Sequence, residues 1–233
     1  MPITDDLHAL GDRASRELDA VHDYFEHSKI VWLSFQDFVD KGYIVHFTNL
    51  PTGTAIDQAG LLGMAPHYTR AYLATFTFRQ FVSTFEVFLF DFLHRLLLHN
   101  PWQFSRSALT LETVLKAADR DDIISGVILK RLNDLRYENL REWFVTLNRA
   151  IQLDCPSEDE IDALAEVKAA RDILEHNAGV VNDVYLRKAG KKARYTAGEQ
   201  VEIDDSYHLA RWQLIKKVVT EVTAAAIAKL AKP

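Results

Sequence analysis

Residues 81–98 read FVSTFEVFLFDFLHRLLL, the most apolar run in the chain. Together with Phe78, the positions Phe81, Val82, Phe85, Leu89, Phe92, Leu93 and Leu96 recur at intervals of three and four. That is the period of one face of an α-helix. The pattern predicts a long helix over 67–99, stopped by Asn100-Pro101 because a residue before proline is pushed out of the helical region. Glu86 and Asp91 interrupt the run, so no apolar stretch reaches the roughly 18 residues a membrane span requires. Glu86 shares a line with Val82, Leu89 and Leu93, where a carboxylate is costly unless paired. Two readings stay open for it: an edge residue reaching water, or the partner of a buried cation.

Working outward, residues 5–40 read as helical, with Leu7, Leu10, Leu18, Val21 and Phe25 as the apolar stripe and Gly11 as a weak point. Residues 41–66 hold four of the nine glycines and two prolines and read as a loop region. Further helices are expected over 106–118 and over 121–150 with a break near Tyr137. Cys155-Pro156 is a turn, and Ser157 with Glu160 matches a capping box that starts the next helix. Residues 180–206 read as a loop, with a hairpin around Ala197-Gly198, and 207–231 as a closing alanine-rich helix. The fold class is therefore all-α, an antiparallel bundle of five to six helices. Residues 1–65 form an N-terminal helical extension and loop, and 66–233 the main helical domain. No internal repeat is visible.

Composition narrows the function classes. With 233 residues the chain suits one large domain. It has one cysteine, Cys155, so neither an intramolecular disulfide nor a cysteine zinc site is available. The start, MPITDDLHALGDR, lacks a signal-peptide core, and the expected setting is the reducing cytoplasm. A formal charge of −6 argues against nucleic-acid binding by the whole surface. A local patch does exist: Arg187, Lys188, Lys191, Lys192 and Arg194 put five cations into eight residues. Taken alone, such a run is also what a solvated loop looks like. The nine histidines are scattered without ligand spacing, so no metal site is expected.

The helix beginning at Ser157 ends in AARDILEHNAG, residues 169–179. Leu164, Val167, Leu174 and Ala178 fall on one line, and Arg171 occupies the remaining seat of that line. A guanidinium on a burying face costs stability unless it is paired or has a task. Ala165 and Ala169 lie on another line, continuing to Asp172 and His176, where small residues admit a close neighbour such as a second copy of the helix. Asp172 and His176, four apart, are placed to touch, and a carboxylate beside an imidazole fixes its tautomer. The bland alternatives are an Arg171–Glu175 ion pair, His176 complementing the helix dipole, and Asn177-Ala178-Gly179 as an ordinary C-cap.

The longer string is similar to the HEPN superfamily (higher eukaryotes and prokaryotes nucleotide-binding), whose members carry an Arg, a polar residue and a His four to six positions beyond the Arg. Arg171, Asp172 and His176 fit. The continuation through Asn177, Gly179, Val181, Asn182, Tyr185, Leu186, Lys188, Ala189, Gly190, Ala193 and Arg194 resembles bacterial HEPN-type proteins, as does the upstream Phe85-Glu86. The resemblance covers residues 65–233. It implies a helical bundle, a homodimer joining two motifs, and an endoribonuclease that needs no metal or cofactor, acting as a toxin or antiviral-defence effector. Other members are non-catalytic dimerisation or binding modules.

On that resemblance, RNA is the substrate, and an antitoxin or regulatory protein is a possible partner. His176 moves protons and Arg171 offers a fork to the phosphate. Asp172 orients either of them, and Asn177 contributes a hydrogen bond. Glu86 supports the site as a structural partner. Arg187, Lys188, Lys191, Lys192 and Arg194 hold the RNA backbone.

Overall fold

The computed structural model describes residues 2–44, 46–49, 51–104 and 111–231. It is mostly helical. The apolar run becomes α3 (Ala74–His99), which lies at the centre of the molecule. Fourteen of its residues are buried, among them Phe78, Phe81, Phe85, Leu89, Phe92 and Leu93. Two long helices cover one side of it, α1 (Ile3–Asp40) and α9 (Asp205–Leu230), while α5 (Arg120–Arg136), α6 (Leu140–Ile151) and α7 (Glu158–His176) cover the other.

The boundaries follow local chemistry. Asp119, Asn139, Ser157 and Asp204 each accept a backbone N–H at the start of α5, α6, α7 and α9, satisfying donors that a helix leaves unpaired at its first turn. At α7 the reciprocal bond is present as well, Glu160 accepting from the Ser157 backbone N–H at 2.8 Å. The break expected near Tyr137 falls there, between α5 and α6.

Three segments differ from the sequence reading. Residues 41–66 are not loop throughout. A two-stranded antiparallel ribbon pairs β1 (Phe47–Asn49) with β2 (Thr54–Ile56) around Gly53. The helix α2 (Gln58–Pro66) then starts at the Asp57 cap and continues through a π-helical segment, His67–Leu73, into α3. Residues 180–206 likewise hold a helix, α8 (Asp183–Ala189), N-capped by the Asn182 side chain. Of the helix expected at 106–118, α4 (Leu111–Lys116) is present, and residues 105–110 lie outside the described residues.

Gly11 is a point of close approach rather than a weak spot. A Cβ added there would come within 2.6 Å of the Thr223 hydroxyl oxygen on α9, so its lack of a side chain sets the α1–α9 distance. Leu7, Ala14, Leu18 and Phe25 of α1 lie in the same core cluster as α3 and α9. Beyond Lys29, Ile30, Val31, Leu33 and Phe38 of α1 are exposed, while Trp32 faces the π-helical segment, 5.8 Å from the Tyr68 ring. None of the described helices is long and apolar enough to cross a membrane.

Candidate functional site

Of the line expected to bury on α7, Leu164 and Val167 enter the core and Leu174 is half-buried, whereas Ala178, beyond the end of the helix, is exposed. Ile173 is buried instead, and Arg171 is half-buried beside it. Its side chain is 16% exposed, and it is paired with Glu86 of α3, itself 24% exposed. The open question about Glu86 is thus answered: an acid on the apolar seam of α3 meets a guanidinium on the apolar seam of α7. Lys168, one turn before Arg171, approaches the same Glu86 oxygen at 3.3 Å and Asp172 at 3.2 Å. Its ammonium also lies 5.3 Å from the centroid of the Trp143 ring. Asp172 draws a third cation, Lys188 of α8, at 3.0 Å, with Arg171 at 3.5 Å. Burial by itself would raise the Asp172 carboxyl, but Lys168, Lys188 and Arg171 outweigh it, so its pKa lies below the ordinary value.

These groups line one cleft of about 510 Å³ between α3, α5, α6, α7 and α8. His176 and Arg171 both face it, although they lie about 140° apart around an ideal helix. Ser83, Glu86, Val87 and Phe90 form the α3 wall, Arg136, Tyr137, Glu138 and Trp143 the opposite side. Four cations and three carboxylates therefore share the lining, with His176 at the rim. The Glu175 carboxylate is drawn off by Arg79 of α3 at 2.8 Å, and the same guanidinium donates to the Leu174 carbonyl at 2.8 Å. The Arg171–Glu175 pair considered from sequence does not form; each partner finds a better-placed mate on α3.

Not every expected site residue arrives here. Asp172 makes no hydrogen bond to His176 among the described residues; three cations compete for it instead. Asn177 acts as the helix cap, donating to the Val180 carbonyl, while Ala178 and Gly179 take left-handed backbone angles and Gly179 N–H bonds back to Ile173. The bland reading of this corner holds for those three residues. The line of Ala165 and Ala169 does admit a close neighbour, which is α8 of the same chain.

The basic stretch is ordered, and most of its charge is spent within the chain. Lys191 pairs with the buried Asp162 at 2.5 Å, where Arg141 meets the other oxygen, and Lys192 pairs with Asp159 at 2.7 Å. Arg194 approaches Asp204 at 3.5 Å and lies over the Tyr207 ring at 3.7 Å. Lys188 lines the main cleft, and Arg187 is exposed on the adjoining face of α8.

Residues missed by the sequence reading are Lys168, Arg136, Trp143 and Tyr137. Lys168 had a usable signal, four residues before Asp172; the others reach the cleft only through tertiary packing. Behind it, buried Glu166 accepts from Tyr185 at 3.0 Å and Tyr207 at 2.7 Å. Burial pushes its carboxyl upward against those two bonds. This trio fastens α8 and α9 to α7 and so fixes where Lys188 stands. No family model, no curated protein and no solved structure matches this chain.

Proposed function

We propose that the protein is an endoribonuclease of HEPN type, a toxin or antiviral-defence effector that works as a homodimer and cuts RNA without a metal. The observation that carries this reading is the convergence of Arg171, Lys168, Lys188 and His176 on one cleft, in a helical bundle whose sequence resembles that family. Attack of a 2′-oxygen on the adjacent phosphorus forms the O2′–P bond and breaks the P–O5′ bond. The products are a 2′,3′-cyclic phosphate and a free 5′-hydroxyl. One imidazole takes the 2′-OH proton and another protonates the departing 5′-oxygen, a division of labour that a two-fold pair of His176 side chains supplies. Cations around the phosphorus stabilise charge that grows in the transition state.

In this reading Glu86 and Asp172 hold Arg171 and Lys168 in place until phosphate oxygens compete for them. One observation favours a second reading, a non-catalytic dimerisation or binding module: the Arg171 guanidinium is already taken up by Glu86. The two readings separate in a fluorogenic single-stranded RNA assay with EDTA present. The expected result is cleavage by wild type, leaving 2′,3′-cyclic ends, with a loss of at least about 100-fold in His176→Ala, the scale of a proton-transfer contribution, and a comparable loss in Arg171→Ala. A folded wild-type protein that cuts no RNA, and whose expression does not slow host growth, would leave the module reading.

A further inference from the structure

The cleft does not end at Lys188. A second cleft of about 290 Å³ opens between the start of α6, the middle of α7 and the end of α8. The two share Glu138, Lys168 and Lys188, so they form one groove with those side chains as its waist. From His176 at one end to Ala165 at the other, the groove follows α7 for about 16 Å. Because α7 packs against both α6 and α8, the groove is a slot between helices rather than a broad face.

Along it six cations meet three carboxylates, in a chain whose formal charge is −6. Most of those cations are committed. Glu86 and Asp172 engage Lys168, Arg171 and Lys188, while Glu158 and Asp162 engage Arg141. The third carboxylate, Glu138, is drawn to Arg131 of α5 at 3.5 Å. Two guanidinium groups of the groove have no acid partner among the described residues, Arg136 and Arg187. Arg136 ends α5, and its guanidinium rests over the Phe90 ring, 4.9 Å from the centroid. Arg136 lines the first cleft and Arg187 the second, one on either side of the waist.

A guanidinium fork matches two oxygens of a phosphate. The committed cations must give up a carboxylate before they can make that contact; Arg136 and Arg187 need not. The Phe90 ring also restricts Arg136 in advance, which lowers the ordering cost of binding. A stacked strand spaces its charges by about 3.4 Å along its axis, so a groove about 16 Å long admits more than one phosphate.

Resting on the ribonuclease reading above, we propose that Arg136 and Arg187 are the phosphate-binding residues of this groove, gripping two phosphates of one unpaired RNA strand on either side of the Lys168 and Lys188 waist. The ion-paired cations shape the slot, and the two unpaired ones take hold of the strand first. Arg136 thereby makes the first contact in the cleft where Glu86 occupies Arg171.

The test uses the full chain carrying His176→Ala, so that the probe survives, and a fluorescein-labelled single-stranded RNA of about ten nucleotides. Anisotropy titrations between about 50 and about 200 mM salt give the slope of log affinity against log salt, to which each phosphate contact of a single strand contributes about −0.7. Adding Arg136→Ala or Arg187→Ala should make the slope shallower by about 0.7, and the two together by about 1.4. Each should also weaken binding at least about tenfold, the scale of a lost charged hydrogen bond. Arg136→Lys, which keeps the charge and loses the fork, should keep the slope. Arg16→Ala, which removes an exposed cation of α1 outside the groove, should leave the slope unchanged. An unchanged slope in either groove variant, with its helical circular dichroism intact, would overturn the proposal. So would an equal change in Arg16→Ala, or no RNA binding by the parent protein. Displacement of the RNA by poly-glutamate as effective, charge for charge, as by unlabelled RNA would also overturn it, assigning the groove to an acidic peptide. The expected slopes with a wild-type protein that cuts nothing would sink the ribonuclease reading alone. Cleavage by wild type, with slopes indifferent to Arg136 and Arg187, would sink the groove assignment alone.

Discussion

The Glu86–Arg171 pair connects stability to the candidate site, and Glu86→Ala tests both. Both side chains are more than three-quarters removed from solvent. Breaking a fully buried ion pair from one side costs about 3–5 kcal/mol, whereas an exposed pair contributes about 0–1 kcal/mol. Here the loss is softened, because Lys168 retains Asp172 at 3.2 Å and Arg171 retains it at 3.5 Å. The expected cost is therefore about 2 kcal/mol, or about 4–8 °C in Tm for a domain of this size. Urea unfolding of wild type, Glu86→Ala, Arg171→Ala and the double variant forms a thermodynamic cycle. A coupling energy of about 1–2 kcal/mol is expected, persisting at 0.5 M salt since a shielded pair is weakly screened. Coupling below about 0.3 kcal/mol, or coupling that vanishes with salt, would refute the assignment of this pair as a structural anchor between α3 and α7.

Two further outcomes concern the α1–α3–α9 core. His208 is fully buried, stacked on Phe25 at 3.8 Å, with its Nε2 2.8 Å from the Thr77 hydroxyl. Burial, aided by His22, depresses its pKa to about 4. A histidine depressed in the folded state contributes its full stability above its unfolded pKa of 6.5 and loses it as pH falls toward 4. Between pH 7 and pH 4 the wild type should lose about 3 kcal/mol more than His208→Phe, read from urea midpoints across that range. Gly11→Ala should cost about 1–3 kcal/mol by overpacking against Thr223, and the double variant Gly11→Ala/Thr223→Ala, which removes both the hydroxyl and the methyl that the new Cβ meets, should recover part of the loss.

The helical class and the edges of the long helices were legible because they rest on local rules. Spacing of three and four along 78–96 requires only that the run be helical, and Ser157 with Glu160 closes its own capping box whatever lies elsewhere. Short elements were less legible. The seven residues of α8 hold too few apolar positions to show a period, and only Asn182 and its two backbone bonds announce the helix. The ribbon and α2 sit in a glycine-rich stretch whose composition reads as loop.

The sequence by itself determined that Glu86 and Arg171 each stand on a face that must bury, since helical periodicity is a local property of the chain. That they meet each other across 85 positions was decided only by how α3 packs on α7. Tertiary packing likewise diverted Glu175 to Arg79, gave Asp172 to three cations instead of His176, and consumed Lys191 and Lys192 in ion pairs with the start of α7. The reason is physical. A charge takes whichever opposite charge the packed backbone brings within about 4 Å, and sequence separation does not enter Coulomb's law.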